Sequence, residues 1–215
     1  MSTPDVRTYY EDEYHFDEDV ERPNLPRLWH AIRPLEPLRG TAFLDLGCGV
    51  GWAADLALER GGAAHGVGLD FSATALRRAR ARRPHASWVH GDGTRLPFAN
   101  ASFDRAFSFG SLEHFPDVRQ GFAELRRVMK PGALAVVVVP NFWVRTEQPL
   151  EFRATRANWE NLARDAGFEV VRVGTDYGPA ILKNRRPVKI LLRVLVRLIS
   201  FIPPLRYQFI FVLRG

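Results

Sequence analysis

The stretch that decides the fold is AFLDLGCGVGWAADLALERGGAAHGVGLD, Ala42 to Asp70. It opens as an apolar run and enters a turn bearing Gly47, Gly49 and Gly51. It continues as a helix-like segment and ends in a second apolar run closed by Asp70. Apolar runs without alternation fit strands buried on both faces, as in parallel sheets covered by helices. Glycine tolerates positive φ and close backbone approach to a ligand. The start of the following helix offers unpaired N–H groups. Strand, glycine turn, helix, strand and acid together form the layout of a nucleotide-cofactor site.

The alternation continues along the chain. Strands are expected over 41–46, 64–69, 88–90, 103–109, 134–139, 168–173 and 207–213, and helices over 52–60, 72–82, 118–128 and 156–166. Phe122, Leu125, Val128 and Met129 recur at helical spacing, and Lys130-Pro131-Gly132 is expected to stop that helix. The pattern predicts an α/β fold: a three-layer sandwich around a seven-stranded, mostly parallel, Rossmann-like sheet. The last strand follows no ordinary crossover unit, so it is open to an antiparallel placement. The expected organisation is a lid or helical segment over 1–40, a core over 41–177, a basic apolar helical insert over 178–206, and the last core strand over 207–215.

The chain has 215 residues, 46% of them hydrophobic, enough for one globular core. The single cysteine, Cys48, excludes an internal disulfide and fits a reducing, cytoplasmic setting. Residues 1–21 hold eight acids against Arg7 and lack the basic and apolar regions of a secretory signal. Residues 181–215 hold eight Lys/Arg and no acid. Arg185, Lys189, Arg193 and Arg197 step by four along one side of an expected helix that ends at Pro203-Pro204. Residues 183–202 are too short and too charged for a membrane span. Three readings stay open for this helix: a packed lid or homodimer contact, a pocket wall for an apolar or anionic acceptor, and an interfacial helix at a membrane surface. Its aliphatic faces do not suit a solvated nucleic-acid groove, so no nucleic-acid partner is expected.

The turn discriminates among cofactors. Its spacing is G-x-G-x-G, not the dinucleotide G-x-G-x-x-G, and no P-loop lysine follows. Asp45 stands just before it. A carboxylate there repels a pyrophosphate and suits a cationic ligand, which favours S-adenosylmethionine (SAM) over NAD or ATP. Asp70 occupies the position from which an acid accepts ribose hydroxyls. Asp92, in His90-Gly91-Asp92-Gly93, ends the third strand and is a candidate for the adenine amino group.

Leu44-Asp45-Leu46-Gly47-Cys48-Gly49-Val50-Gly51 resembles motif I of class I SAM-dependent methyltransferases. Further matches follow in order: Asp70, Gly91-Asp92-Gly93 with Leu96-Pro97-Phe98, Phe103-Asp104-Arg105-Ala106-Phe107, and Leu125 to Gly132 with Ala133 in place of a final glycine. The resemblance covers residues 41–140 and extends to Val173 through a helix and a sixth strand. It implies an antiparallel strand seven between strands five and six. It implies that Gly47, Gly49 and Gly51 pass the methionine and ribose portion, and that Asp45 lies near the ammonium. Asp70 would bind the ribose hydroxyls, Phe71 cover the adenine, Asp92 and Gly93 bind its edge, and backbone near Gly110 and Ser111 touch the methionine part. Tyr9, Tyr10, Tyr14, His15 and Phe16 are candidates for a closing lid or for an anchor of the segment to the core.

Methyl transfer needs alignment more than a triad. A base is needed only where the acceptor must lose a proton. His114, at the rim just past strand four, is the candidate base, with Glu113 beside it; capping or pocket lining by His114 is the alternative. Glu113-His114 also resembles the tail of an E-x-x-E-H metal motif, but Gly110 replaces the first acid, so no metal is expected. Cys48 is expected to be an ordinary occupant of its loop. His30, His65, His85 and His90 lack ligand spacing. The expected activity is methylation of a small-molecule hydroxyl. N- or C-methylation, a membrane-peripheral variant on a lipid or isoprenoid acceptor, a non-catalytic SAM-binding protein and a nicotinamide oxidoreductase are the rivals.

Overall fold

The computed structural model describes Tyr9 and residues 24–142, 151–176 and 208–215. Along the chain come α1 (Leu25–Ile32), β1 (Ala42–Leu46), α2 (Trp52–Glu59), β2 (His65–Asp70), α3 (Ala73–Arg82), β3 (Ser87–His90) and β4 (Phe103–Phe109). Then follow α4 (Val118–Val128), β5 (Met129–Pro140), α5 (Arg156–Asp165), β6 (Glu169–Asp176) and β7 (Gln208–Arg214). Short 3-10 turns occupy Arg33–Leu35 and Leu112–His114. Helix starts follow their capping residues: the side chains of Asn24, Ser72, Asp117 and Thr155 accept from the N–H three residues on.

One seven-stranded sheet has the order β3-β2-β1-β4-β5-β7-β6. β7 runs antiparallel to both β5 and β6, and the other neighbours are parallel. The expected three-layer α/β sandwich and the place of strand seven are therefore both found. The valine run shows why β5 needs no alternation. Val136 and Val138 pack with α1 and α2, while Val137 and Val139 pack with α4 and α5. Leu76 and Ala79 of α3 pack on Ala54 and Trp88.

Two details differ from the sequence reading. Lys130-Pro131-Gly132 ends the helix but lies inside β5, which starts at Met129 rather than 134. The ladder jumps from Phe103↔Met129 to Arg105↔Leu134, so the extra residues form a bulge. Gly132 supplies its positive φ, +74°, and its N–H donates to Gly215 O at 2.7 Å. Second, part of the expected amino-terminal lid belongs to the core: Ile32, Leu35 and Leu38 are at most 1% exposed. Tyr9 is half-buried. Tyr10, Tyr14, His15 and Phe16, and the insert over 178–206, lie outside the described residues.

The chain lays β2 and β3 on one side of β1, then β4 on the other. Strand order reverses there, so the crevice beyond the carboxyl ends of β1 and β4 is where such sheets receive ligands.

Candidate active site

The glycine turn sits at that crevice. Its three glycines serve different ends. A Cβ on Gly47 would meet Ser111 Oγ at 1.7 Å, and one on Gly51 the Trp88 ring at 2.1 Å. Those two positions are closed by the protein itself. A Cβ on Gly49 would meet no atom of the described residues within 4 Å, so among them the middle of the turn is open. The turn is held by its own backbone. Gly47 N–H and Cys48 N–H donate to Leu69 O at 2.8 and 3.0 Å, and Gly51 N–H to Cys48 O at 2.8 Å.

Two buried acids flank the turn. Asp70 Oδ2 accepts from Gly49 N–H at 2.8 Å and Oδ1 from Ser72 N–H at 2.9 Å. Asp45 is 3% exposed, and its Oδ2 accepts from Ala54 N–H at 3.1 Å. Burial pushes the Asp45 carboxyl up to about 7; the Ala54 N–H opposes this, the charge of Asp70 adds to it and Arg83 pulls it back. A cationic ligand over the open turn would favour the ionised form of both acids. A pyrophosphate would meet two carboxylates instead, so the donor set fits SAM and not a dinucleotide. Burial also raises the Cys48 thiol well above its usual range, which removes it as a nucleophile.

The other expected cofactor contacts lie at strand ends around the turn. Phe71, half-buried, follows β2, and its carbonyl is 2.8 Å from His90 Nε2. Asp92 is exposed, with Oδ1 accepting from Thr94 N–H and Oγ at 2.8 Å each. Gly93 is buried, and a Cβ there would strike Phe115 at 2.2 Å. Gly110 ends β4 with φ +62° and donates its N–H to Val138 O at 3.0 Å.

The turn after Gly110 points inward. Leu112, Glu113 and His114 are all buried. His114, expected at the rim, is 7% exposed, because the tight 3-10 turn directs all three side chains to the interior. Its N–H donates to Ser111 O at 2.9 Å. Glu113 Oε2 has no hydrogen-bond partner among the described residues. Burial, with the charge of Glu151 adding, pushes this carboxyl up to about 8. No cluster of three potential ligands for a metal occurs among the described residues, and His30, His65, His85 and His90 are exposed.

Sequence reading missed the support beneath the turn. Arg83, 5% exposed, donates from Nη1 to Val50 O at 2.7 Å. Its guanidinium lies 3.7 Å from the Trp52 ring centroid and 3.4 Å from Asp55 Oδ2. Trp88 Nε1–H in turn donates to Arg83 O at 3.0 Å. In sequence Arg83 is the last of an arginine-rich run, and nothing separates it from its solvated neighbours. At the far side of the crevice Arg27 binds Asp176 and Gln208 at the ends of β6 and β7.

Comparison with known proteins agrees with this geometry. Residues 44–137 match the family model described as a methyltransferase domain. The chain is 33% identical over 153 residues to a malonyl-[acyl-carrier protein] O-methyltransferase of Erwinia pyrifoliae, covering 71% of this chain and 54% of that one. It is 38% identical over 128 residues to a demethylmenaquinone methyltransferase of Beutenbergia cavernae, covering 58% and 52%. The chain thus spans about half the length of the curated relatives it matches. An S-adenosylmethionine-dependent methyltransferase of known structure from Mesorhizobium loti shares the fold at TM-score 0.71 and 22% identity, over 89% of this chain and all (100%) of that one. Residues 44–137 thus match a methyltransferase domain, and the glycine turn between two buried acids and the sheet order are those expected of the class I S-adenosylmethionine-dependent methyltransferases.

Proposed function

We propose that the protein transfers a methyl group from SAM to the hydroxyl of a small molecule by in-line displacement. The observation that carries this is the open face of Gly49, set between the buried carboxylates of Asp45 and Asp70. Asp45 faces the methionine ammonium and Asp70 the ribose hydroxyls. Phe71, Asp92 and Gly93 border the adenine, and Gly47, Gly51 and Gly110 shape the channel for the methionine portion. SAM supplies an activated methyl group, whose bonding pair to sulfur stays with the sulfur as the carbon passes to the acceptor oxygen. The protein's part is alignment, worth ~7–11 kcal/mol in favourable cases. His114 takes the hydroxyl proton as the base, with Glu113 beside it on the same turn.

The relatives include enzymes named for malonyl-[acyl-carrier protein] and for demethylmenaquinone, which supports a small acceptor group without fixing the atom methylated. No helix among the described residues is long and apolar enough to cross a membrane. We place the enzyme in the cytoplasm, with residues 183–202 as the segment for a homodimer or peripheral membrane contact.

The test is transfer of labelled methyl from SAM onto a library of hydroxyl, amine and activated-carbon acceptors, with His114→Ala in parallel. Hydroxyl acceptors should react, and the variant should lose about 100-fold or more in kcat while keeping its affinity for SAM. Turnover of amines alone overturns the hydroxyl assignment, and an unaffected His114→Ala overturns the role of His114 as the base. Absence of SAM binding overturns the whole reading.

A further inference from the structure

Arg83 is the charged side chain under the glycine turn that the family motifs leave unused. It caps the end of α3, but its guanidinium reaches back across the layer to Val50, the residue between Gly49 and Gly51. Three contacts fix it there: the Val50 carbonyl at 2.7 Å, Asp55 Oδ2 at 3.4 Å and the face of Trp52 at 3.7 Å. Trp52 and Asp55 belong to the first turn of α2. One buried cation thus joins α3, the glycine turn and the start of the helix behind it. Trp88 closes the arrangement. Its indole N–H binds the Arg83 carbonyl, and its ring fills the space that a Cβ on Gly51 would need.

We infer that Arg83 is a positioning residue for the cofactor: by holding the Val50 carbonyl from across the layer, it sets the turn against which the ligand lies. The inference rests on the proposed use of SAM. The turn's carbonyl at Val50 is drawn down toward Arg83, so the peptide planes on either side keep their orientation without a ligand. Preorganisation of this kind lowers the cost of ordering on binding. The electrostatic part is also visible. Asp45 meets Asp70 from β2, which opposes its ionisation, and Arg83 from α3, which favours it. Arg83 itself faces Asp55 and Glu59 of α2 and its neighbour Arg82. Lysine does not replace it, since one ammonium cannot bind the Val50 carbonyl, reach Asp55 and stack on Trp52 together.

Calorimetric titration with SAM from pH 6 to 9, on the full chain and on Arg83→Met and Arg83→Lys, tests this. Affinity of the parent should rise with pH up to about 7, where Asp45 ionises, and fall again above about 8 as the α-ammonium of SAM loses its proton. In Arg83→Met it should fall at least tenfold at pH 7, and the midpoint should move to higher pH. Arg83→Lys should restore the midpoint but not the affinity. A second readout needs no cofactor. Cys48, in the turn and the chain's single cysteine, should be alkylated by iodoacetamide at least tenfold faster in both variants under conditions where they remain folded. Folded Arg83→Met with parental affinity, pH midpoint and Cys48 reactivity overturns the role of Arg83. If the parent itself binds no SAM, the cofactor reading fails, and Cys48 alkylation still decides whether Arg83 holds the turn.

Discussion

Asp70 Oδ2 accepts the N–H of Gly49 at 2.8 Å, so the acid that ends β2 grips the middle of the turn that follows β1. Twenty-one positions separate the two residues. The same carboxylate takes the Ser72 N–H through its other oxygen. A carboxylate oxygen can accept from more than one donor. Asp70 is therefore suited to bind a ligand's hydroxyls and, before that, to fix the backbone that borders them.

Asp70→Ala and Asp70→Asn should separate these two duties. Alanine removes both backbone hydrogen bonds from a buried site, which costs about 1–3 kcal/mol for each donor left unpaired. It should lower the melting temperature as well as the affinity for SAM. Asparagine keeps one acceptor oxygen and loses the charge. It leaves one backbone N–H unpaired instead of two, so it should lose less stability than alanine and still bind SAM about 10-fold or more weakly, since hydrogen bonds to charged groups are worth about 1.5–3 kcal/mol. Calorimetry with thermal melts checks both. Equal loss of stability in the two variants, with equal affinity, would sink the dual role.

Glu113 makes a prediction about pH. It is 2% exposed, one of its oxygens has no hydrogen-bond partner among the described residues, and burial raises it from 4.5 to about 8. The native state therefore holds this proton more tightly than the unfolded chain. Where the native state binds more protons, stability falls as pH rises. For Glu113 that loss runs from about 4.5 to about 8 and then levels off. Asp45, raised from 3.8 to about 7, acts in the same direction. Glu113→Gln mimics the neutral acid at every pH. Denaturant unfolding should find it close to the parent at pH 5 and more stable than the parent at pH 9. The gap should exceed about 1 kcal/mol, the value of roughly one pKa unit. A constant difference between the two proteins at both pH values would falsify the buried-acid reading.

Much of the architecture was legible because it depends on local patterns. The apolar runs Ala42–Leu44 of β1 and Leu134–Val139 of β5 signal burial on both faces, and the glycine turn with Asp70 marks the cofactor corner. The bulge at Lys130–Gly132 was not legible. It depends on Gly215 donating and accepting across the sheet from 83 residues away. The role of Arg83 was hidden for a related reason. Five arginines fall between Arg77 and Arg83, and only the packing of Trp52 and Trp88 distinguishes the buried one. Asp45, Gly49 and Asp70 were candidates from their places around the turn, and Gly110 from the resemblance to the methyltransferase motifs. The inward orientation of His114 was not, because the sequence gives no sign of a 3-10 turn that buries three successive side chains.

The glycines of the turn yield the sharpest separation of folding from binding. All three have positive φ, and alanine there costs about 1–2 kcal/mol from backbone strain alone. Beyond that shared cost their surroundings differ. Gly51→Ala drives a methyl group into the Trp88 ring, whose atoms stand 2.1–2.9 Å from the new carbon. Trp88 is itself held through its indole N–H and has little freedom to yield. That variant should lose several kcal/mol of stability, the range of overpacked core sites at about 1–3 kcal/mol adding to the strain. Gly49→Ala meets no atom of the described residues within 4 Å. It should fold with only the strain penalty, but its methyl group enters the space assigned to SAM. Binding should be lost from a protein that melts within a few degrees of the parent. Thermal melts paired with SAM titration read both quantities. A folded Gly49→Ala that binds SAM normally would move the cofactor away from the turn, and with it the roles given to Asp45 and Asp70.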